Sequence, residues 1–221
     1  IKHNGPIYDL NEIESILGKK LFKNKIKFEK TPSLEAQIST ISDDIAYNSH
    51  DLEDGLNADL FNINDLKYIP VLSGIIKKHV KRINSKNKEL ILRQIIREAI
   101  NEMVRDIIKN TEINLKQSKI KTINHVHNSE YPLVCFSKKM SLFDMSIKDF
   151  LKENMYYSNS VLKKTQQGKR VIEVLFAKIK KSPKKYIKLN AIKDRSTERA
   201  ICDFIAGMTD RFAINLYNKI K

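Results

Sequence analysis

The residues best suited to chemistry are Asp43, Tyr47, His50, Asp51 and Asp54, gathered in one short stretch. Their spacing puts them on one side of a helix. With Asp43 as zero and about 100° per residue, Tyr47, His50, Asp51 and Asp54 fall at roughly 40°, 340°, 80° and 20°. Leu34, Ile38, Ile41, Ile45, Leu52 and Leu56 fall between about 160° and 220°. One face therefore carries three carboxylates, an imidazole and a phenol, and the opposite face is an apolar stripe. A surface helix with a solvated acidic face accounts for such a pattern. Two details point further. Carboxylates gathered in a basic chain repel one another, and a metal or a cationic partner relieves that repulsion. The phenol one turn after Asp43 offers a ring to a planar or sugar-like ligand.

The element that must position these groups is a helix opened by Pro32, with Thr31 or Ser33 as its N-cap and Gly55 near its end. Asp9 to Leu21 reads as a short helix before it, followed by a basic linker from Lys23 to Lys30. Asn64 or Asp65 can cap a helix that Pro70 kinks or restarts, with Ile75, Ile76, Val80 and Ile83 on its apolar face. Residues 88–109 repeat Leu92, Ile95, Ile96, Ala99, Ile100, Met103 and Ile107 at helical spacing. Asn110 to Pro132 is polar and reads as a long loop or a partly extended excursion. His125 and His127 there, two apart, would share one side of a strand and could hold a metal; an exposed loop pair is the plainer reading. Further helices are expected over Ser146–Tyr157, Val161–Lys180 and Thr197–Lys219, the last interrupted by Gly207, where close packing against a helix or a ligand is expected. No strand ladder is legible, so the expected class is all-α.

Composition bounds the partners. The chain has 221 residues and a formal net charge of +15, which favours anionic partners. The lysines and arginines between Lys163 and Lys193, with Tyr186 among them, are the densest basic region. They suit single-stranded nucleic acid or polyphosphate, or simply a solvated face. Cys135 and Cys202 stand far apart and read as buried free thiols of a reducing, cytoplasmic compartment. No apolar run approaches the ~18 residues of a membrane span, so no membrane partner is expected. There is no Gly-rich phosphate loop, no CxxC pair and no HExxH. His50-Asp51 is an adjacent His-Asp pair, but no upstream His or downstream Asp partner is identifiable by spacing.

The stretch Ser33-Leu34-Glu35-Ala36-Gln37-Ile38, continuing through Asp43-Asp44-Ile45-Ala46-Tyr47-Asn48-Ser49-His50-Asp51 to Gly55, resembles the signature of the deoxyguanosinetriphosphate triphosphohydrolase-like family of HD-domain dNTP hydrolases. Lys2-His3-Asn4-Gly5-Pro6 resembles a segment upstream of it. Arg199 to Ala213 resembles the family's C-terminal segment, and Phe150-Leu151 and Met155-Tyr156 fit the intervening pattern.

The resemblance implies an all-α, HD-domain-like architecture. Residues 1–60 would be the end of the HD metal-site core and residues 61–221 a helical C-terminal region. It implies a Mg²⁺- or Mn²⁺-dependent enzyme that hydrolyses a dNTP to a deoxynucleoside and triphosphate, and a homo-oligomer. Asp43 matches the last of four metal ligands, with Asp44, about 100° round the helix, as the alternative. Tyr47 matches a tyrosine that packs on the deoxyribose and disfavours a 2′-hydroxyl. Asp51 matches a carboxylate near the 3′-hydroxyl. Lys2 and Arg199 align with positions that contact phosphate or nucleotide. The family's upstream His, its His-Asp pair and its catalytic His have no counterparts here, so no catalytic residue is expected within these residues. The chain opens on Ile in what reads as mid-domain sequence, which leads us to expect a piece of a larger enzyme that is inactive by itself. A basic nucleic-acid-binding module and a degenerate, non-catalytic remnant are the competing expectations.

Overall fold

A computed structural model of the protein describes residues 29–79, 87–187 and 196–221. The expected helix from Asp9 to Leu21, most of the basic linker, Lys2, Val80, Ile83, Lys188 and Lys193 lie outside them. Every regular element among the described residues is helical: α1 (Leu34–Asn57), a 3₁₀ turn (Asp65–Tyr68), α2 (Leu72–His79), α3 (Lys88–Gln117), α4 (Ile123–His127), α5 (Lys138–Leu151), α6 (Asn159–Lys181), α7 (Thr197–Ala206) and α8 (Asp210–Ile220). The all-α expectation holds. No described helix is long and apolar enough to cross a membrane. The chain divides into two compact units, residues 1–155 and 156–221.

In the first unit α1 packs on α3 and α5, and α2 packs on α3. The shared core takes Ile45, Leu52 and Leu56 from α1, Ile95, Ile96 and Met103 from α3, and Phe143, Ile147 and Leu151 from α5. Each such side chain contributes about 1.5–3 kcal/mol by leaving water. Ser33 is the N-cap of α1, its hydroxyl accepting from the Ala36 N–H. Gly55 lies near the end of the helix, as expected, two residues before Asn57. A Cβ there would run into the Phe61 ring, which stacks edge-on against Phe150 at 4.8 Å. Ile38, expected in the apolar stripe, is 48% exposed.

The polar stretch 110–132 departs from the expected loop. α3 continues to Gln117 and α4 follows. The reason lies in polar side chains at helical spacing, which a search for apolar periodicity passes over. Asp106 accepts from the Ser137 N–H at 2.8 Å and its hydroxyl at 2.6 Å. Asn110 donates to the Cys135 carbonyl, and Asn114 donates to that of Leu133, both at 2.9 Å. Three residues one turn apart thus hold the segment that leads into α5, and Ser137 caps that helix. His125 and His127 sit on α4, not on a strand. His127 Nδ1 lies 2.7 Å from the Thr31 carbonyl, so this histidine braces the entry to α1. Gln37 completes the brace: its amide oxygen accepts from the Leu133 and Val134 N–H groups at 2.8 and 3.0 Å.

α5 ends in a π-helical turn, Lys152–Tyr156. In the second unit α6 packs on α7 and α8 around Leu175, Ile179, Ile187, Ala200 and Ile201. The expected single helix over Thr197–Lys219 is two helices. Gly207 closes α7 with an ordinary φ of −82°, and the Thr209 hydroxyl caps α8 by accepting from the Phe212 N–H. Gly207's close neighbours are carbonyls of its own helix, Asp203 and Phe204, not a second helix.

Candidate functional site

The outward face of α1 carries the groups singled out by spacing. Ile45, Leu52 and Leu56 turn into the core. That burial fixes the helix's rotation and forces Asp43, Tyr47, His50 and Asp54 to the surface. Tyr47 is 70% exposed, a free aromatic face on a rigid helix. Asp51 is half-buried on the same side. Asp43, Tyr47 and Asp51 are therefore brought together on one face of one element.

The adjacent aspartates differ in their surroundings. Asp44 accepts an ion pair from Lys148 Nζ at 3.0 Å, and the same ammonium lies 2.8 Å from Asp144. Asn48 donates to the other Asp144 oxygen at 3.0 Å. Asn48 and Asp144 are both buried. Burial alone would lower the Lys148 pKa, but hydrogen bonds to Asp144 and Asp44 outweigh it and hold the ammonium above the ordinary lysine range. Asp43 has no hydrogen bond or ion pair to any described residue. Spacing alone missed Lys148, Asp144 and Asn48. The available signal was Asn48 toward the buried side of α1, and an Asp–Lys pair four apart beside the core positions Phe143 and Ile147.

Among the described residues no three His, Cys, Asp or Glu side chains are grouped to hold a metal ion. An outward carboxylate without a partner suits one place in a ligand set, and Asp43 is such a donor. The described residues do not make up a whole set. Arg199 belongs to the second unit, where it pairs with Asp203 at 2.9 Å in the first turn of α7. The basic region lies in that unit too. From residue 163 to 170 the first half of α6 is exposed on every side, with Lys163, Lys164, Lys169 and Arg170 along it.

Comparison with known proteins adds a second line. Residues 134–219 match the model of the phosphohydrolase-associated domain. The chain is 50% identical over 216 residues to a deoxyguanosinetriphosphate triphosphohydrolase-like protein of Pelagibacter ubique, covering 98% of this chain and 58% of that one. Proteins of the same description from Rickettsia rickettsii and Bartonella henselae are 34% and 32% identical over the whole of this chain, which spans 58% and 57% of their lengths. The chain thus spans little more than half of these curated relatives.

Proposed function

We propose, for a chain that is a relative of the deoxyguanosinetriphosphate triphosphohydrolase-like proteins along 98% of its length, that α1 forms one wall of a dNTP triphosphohydrolase site. The reaction takes a dNTP and water to a deoxynucleoside and inorganic triphosphate. The observation that carries this reading is the outward face of α1: a partnerless carboxylate at Asp43 and a 70% exposed ring at Tyr47 one turn on.

In this reading Asp43 donates one carboxylate oxygen to a divalent ion, Mg²⁺ or Mn²⁺, whose other ligands are not among the described residues. Such an ion supplies polarisation of a phosphoryl oxygen and acidification of a water. Tyr47 packs its ring on the deoxyribose, where a 2′-hydroxyl would collide with it. Asp51 accepts from the sugar 3′-hydroxyl. The helix core holds all three at fixed mutual spacing, which is the positioning that a phosphoryl-transfer site requires. Lys2 is assigned to phosphate or nucleotide contact. The activity belongs to an intact, oligomeric protein that supplies the histidine ligands, and this chain alone is inactive.

The test is hydrolysis of dNTPs by the intact protein with Mg²⁺ or Mn²⁺. Activity is expected to vanish on chelation and in Asp43→Ala. Hydrolysis that survives Asp43→Ala would sink the reading. The exposed first half of α6 favours a second role, contact with single-stranded nucleic acid, which the lysines of 163–193 would supply independently of Asp43.

A further inference from the structure

We propose that the corner between α7 and α8 is a base-stacking cleft for single-stranded nucleic acid, set beside the basic first half of α6; this rests on the reading of α6 as a nucleic-acid contact surface. The cleft holds about 470 Å³ and is lined by Asp203, Phe204, Gly207, Met208, Thr209 and Phe212, a volume in the range of small-ligand sites. Phe204 comes from α7 and packs on the core of the unit. Phe212 comes from α8 and stands 51% exposed, while Ala213, Leu216 and Tyr217 of the same helix turn to that core. Gly207 lines the cleft with backbone alone, and a ligand was one of the two expectations for it. The polar groups of the wall are already engaged. The Asp203 carboxylate accepts from Arg199 at 2.9 Å, and the Thr209 hydroxyl accepts from the Phe212 N–H. What remains on offer is aromatic and apolar surface, which suits the flat face of a base.

Charge selects a polyanion. Residues 156–221 carry 16 lysines and arginines against 5 aspartates and glutamates, +11 of the chain's +15. The one acid in the cleft wall is neutralised by Arg199, so no bare carboxylate there meets a phosphate. Position points the same way. α7 begins beside the last turn of α6, where Lys180 and Glu198 pair at 2.9 Å. α6 ends one residue later, so α7 can pack on it only by running back toward its middle. Glu198 to Gly207 covers about 13 Å of helix, which brings the corner level with about residue 171. The stretch 163–170, exposed on every side, begins there. Lys163, Lys164, Lys169 and Arg170 thus offer phosphate contacts next to rings that take a base, the combination that holds single strands without sequence preference.

The rival occupant is an acidic peptide, which shares the charge but brings no base to stack. Anisotropy titration of the intact protein separates the two. The probes are a short oligo-dT, an abasic oligomer with the same number of phosphates, and polyglutamate. Wild type is expected to bind oligo-dT about fivefold or more tighter than the abasic strand. Phe212→Ala is expected to abolish that preference and to leave the abasic Kd within about twofold of wild type. An unchanged oligo-dT Kd, or an equal loss on the abasic strand or polyglutamate, overturns the proposal. Phe212→Trp carries the test if Phe212→Ala does not fold. These residues hold no tryptophan, and a stacked base quenches the new indole. Quenching by oligo-dT, and not by the abasic strand or polyglutamate, is expected; any other pattern overturns the proposal. Failure of the underlying α6 reading looks different. Changing Lys163, Lys164, Lys169 and Arg170 to Ala would then leave the affinity for both strands and its salt dependence unaltered, and the proposal falls with that reading.

Discussion

At the scale of single residues, α1 separates groups by how they are held. Asp43 and Tyr47 project freely, Asp44 is tied to Lys148, and Asn48 is buried against Asp144. The free pair was legible from spacing, because exposure follows directly from which side of the helix is apolar. The tied pair was not, since the ion pair from Asp44 to Lys148 spans 104 positions in sequence and no local pattern encodes it. Tyr47 offers the clearest test at this scale. If its ring excludes a 2′-hydroxyl, Tyr47→Ala in the intact protein raises the dNTP KM. The same change lowers the ratio of kcat/KM for dNTP over rNTP by about tenfold or more. An unchanged ratio would remove Tyr47 from the sugar site.

At the scale of elements, apolar periodicity found the helices that bury a stripe and mis-drew those held by polar side chains. α1 and the first part of α3 belong to the former group. The second part of α3 belongs to the latter: Asp106, Asn110 and Asn114 bind the backbone of residues 133–137, so the helix continues where its apolar content falls. The break at Gly207-Met208-Thr209 shows the converse. Thr209 is a capping residue followed by Asp210 in the first turn, a start signal within an otherwise continuous apolar pattern. Gly55 joins element to core. Its missing Cβ leaves room for Phe61, and Phe61 meets Phe150 at the end of α5. Gly55→Ala gains helix propensity yet overpacks against this ring, with an expected net destabilisation of about 1–3 kcal/mol. A lowered midpoint in denaturant unfolding checks it. An unchanged or raised midpoint would mean the ring has room to move.

At the scale of the whole molecule, the chain is two helical units with different surfaces. The first presents the carboxylate face of α1, and the second carries the exposed basic half of α6. The all-α class was legible because no segment alternates with a two-residue period. The division into units was not, since the polar turn after α5 carries no Pro or Gly to mark it. A charge of +15 says only that anions are attracted. The α6 prediction is sharper. If Lys163, Lys164, Lys169 and Arg170 track a strand, changing them to Ala flattens the salt dependence of single-stranded DNA binding. The log–log slope is expected to shrink by about 0.7 for each phosphate no longer neutralised. A slope that does not move would leave these residues as a solvated face.

Whether the α1 face is part of a dNTP triphosphohydrolase site is reached most directly by one measurement. Phosphorus NMR of a dNTP incubated with the intact protein and Mg²⁺ identifies the products in a single spectrum. Inorganic triphosphate is expected as the sole phosphorus-containing product, with an unaltered dNTP spectrum for Asp43→Ala. Pyrophosphate or monophosphate as the product, or triphosphate release that persists in Asp43→Ala, would contradict the assignment.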